Sequence, residues 1–228
     1  MLYTEEMVRQ NLRNREGKRV FYLGKGDTLT PGARDWLTKE RVGVLPAEMA
    51  KPEHYRLLSG AILQEKPEQM THLCGDILVP KTHPRIRFRG AVDSLEAELL
   101  WCSLHAQGQL RKELEEVLSA ARMLIRCDVL EEPVPEGKLC GLTEQEIRSR
   151  SHRPQEYYGQ AHFMPEATDG EQILRLNRCR TAARAAELAA AAAFVDENGC
   201  AMRADILRSL NRMSSMIYIL MIREKAGR

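Results

Sequence analysis

The chain has 228 residues, 43% of them hydrophobic and 29% charged, enough to bury a full core in one main domain with a small appendage. A net charge of +2 excludes the strongly basic surface that drives bulk nucleic-acid binding. The opening Met1–Glu6 has neither a basic region nor an apolar stretch and no apolar run could span a bilayer, so neither a secretory signal nor a membrane segment is expected.

In chain order, Arg19–Leu23 has strand composition, Gly24–Asp27 marks a turn, and Thr30-Pro31 supplies a helix N-cap with proline at the first helical position. A helix over 32–39 and a short strand at Val42–Val44 complete a small α+β extension covering residues 1–50. Gly24-Lys25-Gly26 lacks the spacing of a phosphate-binding loop and reads as a plain turn. Pro67, Pro80 and Pro84 keep residues 66–85 mostly non-helical.

From Ile86 the pattern changes. Leu95, Leu99, Leu100 and Leu104, then Leu110, Leu114, Val117, Leu118, Ala121 and Leu124, recur at helical spacing, with Gly108 separating two helices. A proline-bearing connection follows over 131–170, holding a short helix opened by the Thr143/Glu146 capping box. Two long helices over roughly 171–195 and 203–224 flank an Asp196–Gly199 turn, and the second carries the stripe Ile206, Leu210, Met213, Ile217 and Leu220 or Met221. The fold class expected is mainly α: an antiparallel bundle of about five helices over 51–228, behind the α+β segment.

The last two helices also carry polar groups at helical spacing. Arg180, Arg184 and Glu187 share one face with Asn177 a turn earlier, and Asn211, Ser214 or Ser215, and Tyr218 group likewise. Taken alone, the arginine face could be a salt-bridged surface worth a few tenths of a kcal/mol per pair; the two faces together suggest an anion site. The histidines hold no His-x-x-x-His pair, which excludes a zincin, and His72, His83, His152 and His162 fall in loops, facing either solvent or a bound ligand. Tyr157-Tyr158 and Phe163-Met164 read as loop packing or, alternatively, as the apolar wall of a ligand site. Cysteines 74, 102, 127, 140, 179 and 200 include no Cys-x-x-Cys pair and suit reduced thiols of the cytoplasm better than a disulfide framework.

Three segments carry a resemblance: Lys81-Thr-His-Pro-Arg85 running on to Gly90-Ala-Val-Asp93-Ser-Leu95, then Arg180-Thr-Ala-Ala-Arg184-Ala-Ala-Glu187, then Leu210-Asn-Arg-Met-Ser214. In this order they resemble the ATP:cob(I)alamin adenosyltransferases of the propanediol-utilization type. Thr71-His-Leu, Leu78-Val-Pro-Lys, Ser151-His-Arg-Pro, Pro165-Glu-Ala and Leu29-Thr-Pro-Gly are closer to the ethanolamine-utilization branch, so the likeness covers nearly the whole chain.

The resemblance implies ATP, Mg²⁺ and cobalamin as reactants and cofactors, with adenosylcobalamin made for ethanolamine ammonia-lyase. It implies Arg184, Asp93 and Arg180 as the reactive-site set, Asp93 pairing with Arg180 where family members place the site between subunits. Lys81 and Arg184 would meet phosphates, joined by Thr71, His72 and Arg85; Asn211 would meet the nucleotide, and Glu187 would hold the adenosine end or orient Arg184. It further implies a homo-oligomer (a trimer as in the family, with a dimer as alternative), a corrinoid reductase as partner, and a cytoplasmic or microcompartment setting.

The chain departs from the family in three places. Thr71-His-Leu-Cys-Gly75-Asp76 has one residue more than the propanediol-type loop, Ser215 stands where that branch has Asp, and no cysteine precedes Cys74 to build the metal insert of some ethanolamine-type members. No protein-bound iron or zinc is therefore expected. A corrinoid carrier without transferase activity is the alternative reading.

Overall fold

A computed structural model describes residues 1–15, 17–50 and 54–227. They divide into two compact units, one of residues 1–83 with 128–132, the other of 84–127 with 133 onward.

The first unit holds β1 (Leu2–Tyr3), α1 (Glu5–Gln10), β2 (Arg13–Arg15), β3 (Lys18–Leu23), β4 (Thr28–Leu29), α2 (Pro31–Lys39), β5 (Gly43–Pro46), β6 (Tyr55–Leu57), β7 (Ile62–Leu63), β8 (Met70–Cys74) and β9 (Ile77–Pro80). Thr30 caps α2 as its sequence implies, its hydroxyl accepting from the Ala33 N–H at 3.3 Å with Pro31 in the first turn. β3 lies antiparallel to β2 and parallel to β5, the geometry that a crossover through α2 allows. Val8, Leu12, Phe21, Ala33 and Leu37 form the core beneath. A four-stranded sheet runs β7-β6-β9-β8, with Thr71 opposite Val79 and a bulge between His72 and Cys74.

The second unit is built on four long helices, α3 (Pro84–His105), α4 (Gly108–Leu130, its last residues counted with the first unit), α7 (Glu171–Phe194) and α8 (Ala204–Lys225). Between α4 and α7 lie the short α5 (Glu144–His152) and α6 (Pro154–Tyr158). The chain is mainly α, but the described residues hold eight α-helices, six of them beginning in this unit, in place of a plain bundle of about five. The 131–170 connection contributes two helices instead of one because Pro154 starts a second helix immediately after α5. Thr143 and Glu146 form the full capping box at the start of α5.

Helix α7 packs against both α3 and α8, and α5 rests on α8. Small residues suit such close packing: Ala183, Ala186 and Ala190 are fully buried on α7. On α8, Ile206, Leu210, Met213, Ile217 and Leu220 are buried, and each such side chain contributes about 1.5–3 kcal/mol of transfer free energy. Arg122 pairs with Glu96 between α4 and α3, and Arg223 on α8 donates to the buried Glu113 of α4 at 2.6 Å. No disulfide joins the cysteines among the described residues. No helix of these residues is long and apolar enough to cross a membrane.

Candidate active site

Arg180 lies half-buried at the middle of α7, and Arg184 follows one turn later, exposed. Asn177, a turn before, accepts from Nε of Arg180 at 3.1 Å and from Nη2 at 2.9 Å, fixing the guanidinium plane. Burial first, and then the positive charge of Arg184, press the Arg180 guanidinium below its ordinary value. A half-buried cation beside a second cation favours an anion as neighbour.

The facing side comes from α8. Ser214 is buried and donates to the Asn211 carbonyl at 3.0 Å, while the Asn211 amide donates to Glu187 Oε1 at 2.9 Å. Glu187 therefore orients Asn211; among the described residues it forms no ion pair with Arg184. The C-terminal end of α5 adds Ser151 and His152. Together with Arg180, Arg184, Ser214, Ser215, Tyr218 and His162 they line a cavity of about 350 Å³. No carboxylate belongs to this lining, and its donors suit a ligand with several anionic oxygens.

A second cavity of about 360 Å³ adjoins it, lined by Phe163, Met164, Pro165 and Met221 and by the same His162, Arg180 and Tyr218. Its character is apolar. Phe163 stacks with Tyr218 at 6.5 Å, and Lys225 sits 5.3 Å over the Phe163 ring while pairing with Asp169. That hydrogen bond from Lys225, and then the Glu166 N–H, hold the Asp169 carboxyl below its ordinary value.

The expected residues thus fall into three groups. Arg180, Arg184, Glu187 and Asn211 share the facing sides of α7 and α8. Arg85 and Asp93 lie on α3, with Asp93 exposed; no ion pair joins Asp93 to Arg180 among the described residues, and Arg180 turns to Asn177. Lys81, Thr71 and His72 belong to the first unit, where Lys81 pairs with Glu68 at 3.0 Å and His72 Nδ1 lies 3.0 Å from the Gly75 carbonyl.

Helical spacing could not place Ser151, His152 and His162 at the cavity, because they reach it from outside the two long helices; His152, expected in a loop, ends α5. Of the loop cluster, Tyr158 enters the core and Tyr157 stays exposed beneath Arg150 and Arg153. Among the described residues, no three His, Cys, Asp or Glu side chains converge as metal ligands.

A family model described as cobalamin adenosyltransferase matches residues 61–224. The corrinoid adenosyltransferase EutT of Salmonella typhimurium strain LT2 is 31% identical over a 242-residue alignment, spanning 96% of this chain and 90% of that protein. The protein of the same name from Escherichia coli strain K12 is 29% identical with the same coverage. By the extent of both matches, the chain belongs to the cobalamin adenosyltransferase family.

Proposed function

We propose that the chain transfers the 5′-deoxyadenosyl group of ATP to cob(I)alamin, making adenosylcobalamin for an ethanolamine ammonia-lyase. The observation that carries this reading is the carboxylate-free cavity that Arg180 and Arg184 share with Ser214 and Ser215, in a chain of this family. In the transfer, the cobalt(I) electron pair attacks the 5′ carbon and a cobalt–carbon bond forms. The carbon–oxygen bond to triphosphate breaks, and negative charge gathers on the departing oxygen.

The corrinoid is the nucleophile, so the task left to the chain is alignment and charge neutralisation. Exposed Arg184 offers a planar fork to phosphate oxygens, and Arg180, held by Asn177, offers a second cation at a fixed position. Hydroxyls of Ser214 and Ser215 supply further hydrogen bonds. Asn211, steadied by Glu187, meets the nucleotide.

Lys81, with Thr71, His72 and Arg85, completes the phosphate contacts in this reading, and Asp93 pairs with Arg180 of a neighbouring copy in a homo-oligomer, a trimer as in the family or a dimer. Mg²⁺ would arrive on the polyphosphate, because a hard cation on phosphate oxygens needs few protein ligands. A corrinoid reductase supplies cob(I)alamin, and the setting is cytoplasmic or within a bacterial microcompartment. The test is anaerobic incubation with cob(I)alamin and ATP. Decay of cob(I)alamin absorbance with release of triphosphate is the expected result; corrinoid binding with neither change would favour a carrier.

A further inference from the structure

His162, Tyr218 and Arg180 line both cavities, so they form the partition between a polar compartment and an apolar one. His162 is fixed at two points. Its Nε2 lies 3.2 Å from the His152 carbonyl, which can only accept, so in the neutral ring Nε2 carries the proton and Nδ1 accepts from the Tyr218 hydroxyl at 3.0 Å. The two rings lie within 9° of parallel with centroids 5.8 Å apart.

These contacts matter because residues 160–166 belong to no helix or strand. The segment leaves α6 through Gly159, whose left-handed φ of 70° suits glycine. Phe163 then stacks with the same Tyr218 ring, and Phe163, Met164 and Pro165 become one wall of the apolar cavity. The Tyr218 hydroxyl and the His162 ring thus tie an otherwise irregular stretch to α8.

We infer that His162 and Tyr218 are positioning residues for the transfer, holding the 160–166 segment so that one side of the partition meets the polyphosphate of ATP and the other meets the apolar edge of the corrin ring. This rests on the transferase reading. The polar side keeps its own cations in Arg180 and Arg184 whatever happens to the segment, whereas the apolar side loses its wall when the segment shifts. The two substrates should therefore respond differently.

Tyr218→Phe keeps both ring contacts and deletes only the donor to Nδ1. It should raise the KM for cob(I)alamin about fivefold while that for ATP stays within about twofold, the scale of one lost hydrogen bond. Equilibrium dialysis of cob(II)alamin under anaerobic conditions should show the same loss without turnover. His162→Leu should match it, His162→Asn, which restores an acceptor near Nδ1, should recover part of the affinity, and Tyr218→Phe combined with His162→Leu should cost little more than either alone. Unchanged parameters in Tyr218→Phe, or equal weakening for both substrates, would overturn the inference. A parent that binds cob(II)alamin but makes no product, and whose Tyr218→Phe variant binds it more weakly, would instead overturn the transferase reading and leave the partition standing.

Discussion

Arg184 and Arg180 sit one turn apart and have different surroundings: one is exposed, the other half-buried and clasped by Asn177. If Arg184 meets the polyphosphate, Arg184→Lys keeps the charge and loses the planar fork, so kcat/KM should fall by about tenfold or more. Helical content should stay at the parent's value, and activity near the parent's would return Arg184 to the role of a surface cation. A second residue-scale expectation concerns acid. The Asp205 carboxyl is held down to about 2, first by the hydrogen bond from Arg203 and then by the N–H groups of Val134 and Ile206. Because the folded value lies below the ordinary 3.8, the unfolded chain takes up this proton first, and the stabilisation is complete above that value and vanishes as pH falls towards 2. Asp205→Asn should therefore unfold more readily at neutral pH, with the gap to the parent closing between about pH 4 and 2 in an acid titration followed by circular dichroism. A gap that persists at pH 2 would contradict it.

At the scale of the element, α7 combines two incompatible demands, close packing against α3 and α8 and display of charge beside that packing. Alanines meet the first: Ala183, Ala186 and Ala190 are buried with no more than a methyl group to separate the helices. Ala186→Leu should cost about 1–3 kcal/mol by overpacking, lower the melting temperature, and weaken activity by moving Arg184 and Glu187 relative to α8; a variant as stable as the parent would show slack at that position. The long helices α3, α4 and α8 were legible from apolar spacing and the capping box from Thr143 and Glu146, because each signal lies within a few residues of chain. The sheet over 55–80 was not. Its strands are two to five residues long, too short for a period to register, and the prolines there announced only the absence of helix. The site divides in the same way. Arg180, Arg184, Ser214 and Tyr218 could be read from helical arithmetic, while His162 meets Tyr218 across 56 residues of chain, a contact that tertiary packing alone creates.

On the scale of the whole molecule, net charge is small and the interest lies in where the cations are placed. Burial and the neighbouring Arg184 charge disfavour the Arg180 cation in the empty fold that it equips for binding. A multivalent anion that bridges the two arginines should stabilise the protein as well as occupy it. Tripolyphosphate without corrinoid should raise the melting temperature, orthophosphate should raise it less, and sodium chloride at matched ionic strength should hardly raise it. Arg184→Gln should melt no lower than the parent in the absence of anion and should lose most of the response; a parent indifferent to tripolyphosphate would refute the idea. The physiological corollary is about lifetime. A chain that borrows stability from the triphosphate of its substrate opens less often while ATP is plentiful, so proteolytic turnover should quicken when the nucleotide pool is drained.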